Sequence, residues 1–271
     1  MDLDAFREFE VSGWEKVGGA GYHRFAGPIT GRVIDPLLDA ARVAPRARVL
    51  DVATGPGYVA ARTRERGASV IGVDISAPMV ELASRMHPTI EFRQADAERL
   101  PFDGGSFDAV VSSFILGHLA RPEQAVVEMA RVLKPKGFLA LSWWDVPERA
   151  RIPGVFVDAV KEAGATPPPD LPPGPPMFRF SVDEELSKLL KTAGFEGTEV
   201  RAVSFAHRTS GSDEMWDGML AGTVRTKALV LGQTEEMQRR IRAALDRLLL
   251  PAGDGFEIPV SVKIATGRKP R

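Results

Sequence analysis

Apolar runs and stretches of helical periodicity alternate along the first half of the chain. Four segments, "RVLDVA" (48–53), "SVIGVDI" (69–75), "FDAVVSSF" (107–114) and "GFLALSWW" (137–144), are apolar almost without interruption. That is the pattern of strands buried on both faces. "IEFRQAD" (90–96) is shorter, alternates only in part, and predicts a further strand. Between these lie "YVAARTRERG", closing on Gly67, and "APMVELASRMHP", closing on Pro88, both read as helices. In "RPEQAVVEMARVLKPKG", Pro122 stands early and Gly137 after the expected last turn, the polarity of helix start and stop signals. Strand–helix alternation at this spacing predicts a parallel sheet covered on both faces.

The second half changes character. "ATPPPDLPPGPPMFRF" (165–180) holds seven prolines and predicts a stiff surface loop or linker. In "SVDEELSKLLKTAGF", Ser181 and Glu184 have the spacing of a capping box opening a short helix that ends at Gly194. "EVRAVSFAHR" (199–208) and "FEIPVSVKIATGR" (256–268) predict late strands. The residues between them read as helical, with Met237, Ile241, Ala244, Leu245 and Leu248 on one apolar stripe that predicts core packing.

Composition narrows the class. A chain of 271 residues, 44% hydrophobic and 26% charged, buries a substantial core. A net charge of −1 supplies no field to draw nucleic acid or an anionic membrane, so neither is expected as a partner. With no cysteine there are no disulfides, thiolate nucleophiles or cysteine metal sites. His23, His87 and His207 lack partners at ligand spacing, so no metal is expected. The acidic start "MDLDAFREFEVSGW" does not read as a signal peptide, and no run is long enough to span a bilayer. A cytoplasmic protein, monomer or homodimer, is the expectation.

Candidate chemistry begins at "VLDVATGPGYVA" (49–60), where Gly55 and Gly57 fit the glycine fingerprint of nucleotide-binding turns. That fingerprint alone is a weak signal. Asp51 adds information. A carboxylate four residues before Gly55 would face a pyrophosphate unfavourably, whereas it suits the ammonium and sulfonium of an adenosyl-sulfonium ligand. Asp74, 17 residues after Gly57, stands at a strand end where it can accept from both hydroxyls of a ribose. Asp96, 22 residues further on, is expected to end the third strand and accept from an adenine amino group.

These segments, with "VIGVDISAPMVELA", "FRQADAERLPFDGGSFDAVVSSFILGHL" and "ARVLKPKGFLAL", resemble the successive motifs of class I S-adenosylmethionine-dependent methyltransferases. The resemblance is strongest to the small-molecule branch that includes enzymes of ubiquinone and menaquinone biosynthesis, and it runs in register over about residues 45–145. It implies a Rossmann-like, doubly wound α/β fold: a mostly parallel seven-stranded sheet with an antiparallel last strand and helical lid insertions. It implies S-adenosyl-L-methionine as cofactor, with Asp51, Ala53, Gly55 and Gly57 at its methionine end and Asp74 at its ribose. Ile75 and Met79 would pack on adenine, with Asp96 and Ala97 at the polar edge. Ser113 and Phe114 follow the fourth strand, and Tyr22, Thr54, Glu98 and His118 complete the implied cofactor-binding set. After the fourth strand the family often carries two polar or His residues; here "LGH" keeps only His118.

The expected organisation is an N-terminal helical flap (1–44), a cofactor-binding core (45–145), and a substrate lid with C-terminal strands (146–271) completing one domain. Trp14, Tyr22 and Phe25 read either as part of that flap or as cover for the sheet edge. Trp143, Trp144 and Asp145 read either as substrate-facing or as core, and Met79 as adenine contact or helix packing. His118 is the first candidate base and His23 the second; for His118 a structural histidine is the competing reading. The expected activity is methyl transfer to an O, N or C atom of a small-molecule metabolite. Two alternatives remain: a relative that binds the same cofactor and catalyses a cyclisation, and a nicotinamide-dependent oxidoreductase.

Overall fold

The computed structural model describes residues 1–249 and 256–271. A long helix, α1 (Leu3–Phe25), opens the chain and is followed by α2 (Gly27–Thr30) and α3 (Ile34–Ala40). Then come β1 (Arg48–Val52), α4 (Tyr58–Glu65), β2 (Ser69–Asp74), α5 (Ala77–Met86), β3 (Glu91–Gln94), β4 (Phe107–Ser113), α6 (Pro122–Val132) and β5 (Leu133–Trp144). The remainder is α7 (Arg151–Ala163), α8 (Asp183–Thr192), β6 (Glu196–Thr209), α9 (Ser212–Gly222), α10 (Arg225–Leu231), α11 (Glu235–Leu248) and β7 (Phe256–Arg268).

The seven strands form one sheet in the order β3-β2-β1-β4-β5-β7-β6. The first five pair in parallel, and β7 lies antiparallel to both β5 and β6. Leu50 of β1 is flanked by Ile71 of β2 and Val110 of β4. Beside β1 the strand order reverses, because the chain winds outward through β2 and β3 and returns to place β4 on β1's other side. The apolar runs of β1 and β4 are buried, as the sequence pattern requires, and helices flank the sheet. Among the described residues no helix is long and apolar enough to cross a membrane.

Four local expectations are corrected. Helix α8 has no capping box: Val182 stands at its N-cap, and the Ser181 hydroxyl donates to the Trp144 carbonyl at 2.8 Å. Gly137 does not follow a helix end, since α6 runs directly into β5 at Leu133. A Cβ at Gly137 would stand 2.9 Å from the Asp108 carbonyl oxygen, so the glycine answers to close strand packing. β3 stops at Gln94, which leaves Asp96 in the turn beyond it. Along α11, Ile241, Ala244 and Leu245 are buried and Met237 packs against the core, but Leu248 is 40% exposed. Residue 250, the end of the "RLLL" run, lies outside the described residues.

The Pro-rich stretch forms no helix or strand over 165–178, where a short 3-10 turn (Arg179–Ser181) takes over, and it runs beneath α1: a Cβ at Gly174 would enter the Phe6 ring. α1 itself is capped by Asp2, whose Oδ1 accepts from the Asp4 and Ala5 amides at 3.1 and 3.0 Å. It packs on α9 and α5. Gly13 lies against Val224 and Gly21 against the Ala221 carbonyl, closely enough that a Cβ at either would overlap them.

Gly21→Ala sets two effects against each other. Alanine gains about 1 kcal/mol of helix propensity, whereas overpacking costs about 1–3 kcal/mol. The obstacle is a backbone carbonyl that cannot rotate away, so overlap wins. The expected outcome is faster amide hydrogen exchange across 3–25 with unchanged protection in β1 and β4; unchanged exchange in α1 would refute close docking at this point.

Candidate functional site

At the strand-order reversal, the carboxyl ends of β1 and β4 open onto a cavity of about 170 Å³, the expected ligand position in an open α/β sheet. Both strands leave the sheet through a left-handed residue, Ala53 (φ 57°) after β1 and Phe114 (φ 58°) after β4. A non-glycine residue in that region costs on the order of 1–2 kcal/mol, and both line the cavity. Strained backbone kept at one spot is a pointer to function. The turn continues through Gly55 (φ 52°), where an added Cβ would meet open space. Gly57 (φ 85°) sits at the N-cap of α4, and a Cβ there would stand 2.8 Å from Phe92 and 2.9 Å from His87. Gly57 does not line the cavity; it lets α4 pack on β3.

The three acids differ in setting. Asp51 is fully buried, with its Oδ2 accepting from the Thr54 hydroxyl at 2.6 Å and its Oδ1 left without a hydrogen-bond partner. Burial pushes its carboxyl up to about 7, against the bond from Thr54. Thr54 lines a small recess beside the main cavity and supports Asp51 from there; Asp51 itself, expected at the methionine end of the cofactor, lines neither space. Asp74 reaches the cavity wall. Its two oxygens accept from the Gly55 amide at 2.8 Å and the Ser76 amide at 2.9 Å, and desolvation raises its pKa against those bonds. Asp96 also lines the cavity, but its Oδ2 is engaged by Arg7 of α1 and its Oδ1 by the Glu98 amide at 2.9 Å.

Ile75, Met79 and Ala97 line the same cavity next to Asp74 and Asp96. Glu98 reaches it too, while its carboxylate accepts from the Arg121 amide at 2.9 Å. Ser113, which shares a hydrogen bond with Ser142 at 2.9 Å, and Phe114 form the floor after β4. Tyr22, Trp14 and Phe25 come in from α1. The tryptophan pair divides: Trp143 is fully buried with its indole N–H donating to the Met177 carbonyl at 2.9 Å, while Trp144 lines the cavity. Asp145 is core, held by Ser261 at 2.8 Å and facing Lys263.

His118 lines the cavity, with Nδ1 3.0 Å from Glu10 Oε2 and its ring set edge-on between Trp14 and Trp143. His23 does not line it. It is exposed, and its Nδ1 pairs with the Tyr58 hydroxyl, so the structure leaves one histidine at the cavity where the sequence offered two candidates. Among the described residues no His, Asp and Glu group has the form of a metal site.

Sequence reasoning missed Arg7, Glu10 and Arg225. Arg7, Glu10, Val11, Trp14, Tyr22 and Phe25 all line the cavity and share one face of α1 at helical spacing. That spacing was the available signal; mixed polarity hid it, because an amphipathic stripe is recognised by being apolar. Arg225 donates from Nη1 to the Gly117 and Pro175 carbonyls at 3.1 and 3.0 Å and stacks over Phe6. Burial lowers its pKa, opposed by the charge of Glu10. Ile152, Met177, Met219 and Trp144 contribute an apolar part of the lining.

Comparison with known proteins gives four consistent matches. A family profile described as "Methyltransferase domain" matches residues 50–141. The demethylmenaquinone methyltransferase of Renibacterium salmoninarum is 36% identical over 127 residues, 47% of this chain and 54% of that protein. The match thus spans about half that relative's length. The demethylmenaquinone methyltransferase of Deinococcus radiodurans is 33% identical over 187 residues, covering 63% of this chain and 74% of the relative. Among solved structures, YcgJ from Bacillus subtilis superposes with a TM-score of 0.56 at 21% identity, covering 89% of this chain and 99% of that one, which shows a shared fold.

Asp51 makes a prediction about pH. The folded chain keeps the proton on this carboxyl up to about pH 7, whereas the ordinary value is 3.8. Between those values folding takes up a proton, so this group's contribution to stability falls as pH rises. Chemical denaturation of wild type and Asp51→Asn across that range should show wild type losing stability relative to the variant toward pH 7. A difference between the two that does not change with pH would show that Asp51 is ionised throughout.

Proposed function

This chain belongs to the class I S-adenosylmethionine-dependent methyltransferases, and from that premise we propose that it transfers the methyl group of S-adenosylmethionine to a small, largely apolar metabolite. The observation that carries the reading is Asp74 on the cavity wall beside the open Gly55 turn, with both of its oxygens oriented by backbone amides. Asp51 lies buried behind that wall and holds the turn through Thr54. The other residues fit the same cofactor. Gly55 leaves open space at the turn, and each Asp74 oxygen keeps lone pairs for a ribose diol after accepting one amide. Ile75 and Met79 offer an apolar wall for adenine, with Asp96 and Ala97 at its edge.

When bound, S-adenosylmethionine supplies an electrophilic methyl group on a cationic sulfur. The chain's own work is to align the acceptor and exclude water. Trp14, Tyr22 and Phe25 of α1 exclude water from above. His118 accepts at Nε2 the proton of an O–H or N–H acceptor, and His23 takes no part in this reading. In this scheme residues 1–44 form the flap, 45–145 the cofactor core, and 146–271 the substrate lid and closing strands. The matched relatives carry the name demethylmenaquinone methyltransferase. The apolar wall of Ile152, Met177, Met219 and Trp144 supports an acceptor of that apolar, ring-bearing kind. The reading includes a cytoplasmic location, a monomer or homodimer, and no nucleic-acid or membrane partner, in keeping with the net charge of −1.

Incubation with methyl-labelled S-adenosylmethionine and reduced demethylmenaquinone, or a metabolite extract, should yield a labelled small molecule. Tight cofactor binding with no label transferred to any acceptor would favour cyclisation-type chemistry instead. Asp74→Ala should weaken S-adenosylhomocysteine binding roughly ten- to a hundredfold, since bonds to a charged group contribute about 1.5–3 kcal/mol each and water offsets part of the loss. Wild type should show no saturable binding of NAD in the same calorimetry; tight NAD binding would overturn the methyltransferase reading. His118→Ala should lower turnover while leaving cofactor affinity close to wild type, and an unchanged rate would retire His118 as the proton acceptor.

A further inference from the structure

We infer that Glu10 is a positioning residue, which holds His118 as the Nδ1–H tautomer and so keeps Nε2 free to take the acceptor's proton. The inference rests on the reading of His118 as proton acceptor and adds a partner from outside the cofactor core. Glu10 Oε2 lies 3.0 Å from His118 Nδ1, with side-chain exposures of 4% and 20%. A carboxylate only accepts hydrogen bonds, so in neutral His118 the Nδ1 must donate and the lone pair falls on Nε2. No hydrogen bond engages Nε2 among the described residues. The ring is held edge-on by Trp14 at 5.1 Å and Trp143 at 5.7 Å, centroid to centroid. Gly117, whose Cβ would overlap the Trp143 ring, lets Trp143 come this close.

The charge on Glu10 is the informative part. Its Oε1 is buried without a partner, a cost that a neutral side chain making the same helix-to-loop contact would avoid. The cations around it are committed elsewhere. Arg7, one turn earlier on α1, is bound to Asp96; Arg121, beyond His118 in the loop, is bound to Asp4 and Glu98. Arg225 on α10 feels the charge of Glu10 but directs its hydrogen bonds at the Gly117 and Pro175 carbonyls. Among the described residues, the one ion-pair partner of Glu10 is therefore His118. In the proton step the acceptor's O–H or N–H bond breaks, its electron pair stays on the acceptor, and a new N–H bond forms at Nε2. The resulting imidazolium has both N–H groups available, one of them already directed at the Glu10 carboxylate. Because Glu10 arrives on α1, the pair is complete only when α1 is docked.

The test uses the full chain with ¹⁵N-labelled histidine. In wild type, neutral His118 should give the Nδ1–H pattern, and Glu10→Leu, similar in size and without an acceptor, should shift it toward Nε2–H. Glu10→Gln, which keeps an acceptor oxygen, should shift it less. With methyl transfer as readout, Glu10→Leu should lower kcat roughly tenfold or more while the KM for S-adenosylmethionine stays near wild type. It should cause no further loss in a His118→Ala background. A wild-type Nε2–H pattern, a tautomer indifferent to Glu10→Leu, an unchanged kcat in Glu10→Leu, or independent losses in the double variant would each overturn the proposal. The tautomer measurement needs neither donor nor acceptor, so failure of methyl transfer itself is read separately.

Discussion

The docking of α1 across the carboxyl ends of the parallel strands is the contact on which the site depends. The sheet by itself ends in an open crevice where β1 and β4 part, with strained turns at Ala53 and Phe114 and the Asp74 carboxylate on its wall. α1 converts that crevice into a walled cavity, and it is held by very small residues. Gly13 and Gly21 let the helix approach Val224 and α9 more closely than any side chain would allow, and Gly218 makes room for Phe25 from the other side. Glycine lowers the intrinsic stability of a helix, so the tertiary contact offsets a local penalty. α1 is stable where it docks, and the cavity is closed on that side because α1 is stable.

Charge placement follows from the same contact. Three carboxylates at or near one cavity would repel one another and lose hydration together. The structure relieves each differently. Asp74 is held by backbone amides of the Gly55 turn and of Ser76, whose hydroxyl in turn donates to the Trp14 carbonyl of α1. Asp96 shares its charge with Arg7 of α1. Asp51 is relieved by no cation, and burial keeps it protonated toward neutral pH. The acid that is worst solvated is thus the one that stays neutral, with the Thr54 hydroxyl bonded to its Oδ2.

Much of the core was legible in the sequence. The buried parallel strands announce themselves as unbroken apolar runs, and Asp51, Asp74 and Gly55 are displayed by strand ends and turn chemistry, which are local properties of the chain. Where local rules competed with tertiary packing, packing prevailed. Ser181 has the sequence of a cap, but its hydroxyl bonds Trp144 across the fold. Gly137 has the position of a helix stop and instead serves a strand contact with Asp108. Arg7, Glu10 and Arg225 were not legible because their partners, Asp96, His118 and the Gly117 and Pro175 carbonyls, lie far away in sequence. His23 and His118 look alike as isolated letters; only the fold sends one to Tyr58 at the surface and the other to the cavity.

The two halves of the cavity are built from different parts of the chain, and this separates what they can specify. The half beside Asp74 comes from strand ends whose positions are fixed by sheet register, with Leu50 locked between Ile71 and Val110. Changing a residue there disturbs a structure that the whole sheet shares. The rest comes mostly from α7, α9 and the segment carrying Met177, joined to the core by side-chain contacts, with Trp144 added from the end of β5. Those surfaces can change shape without altering strand pairing, so acceptor choice can vary while cofactor geometry is retained. Arg225 stands at the joint between the halves. It ties α10 to the His118 loop and to the Pro-rich stretch through two carbonyls, and a guanidinium is suited to that role because the two hydrogens on its Nη1 serve two acceptors at once. Because both carbonyls depend on this one side chain, replacing Arg225 would release the α10 contact to the His118 loop and the contact to the Pro-rich stretch together.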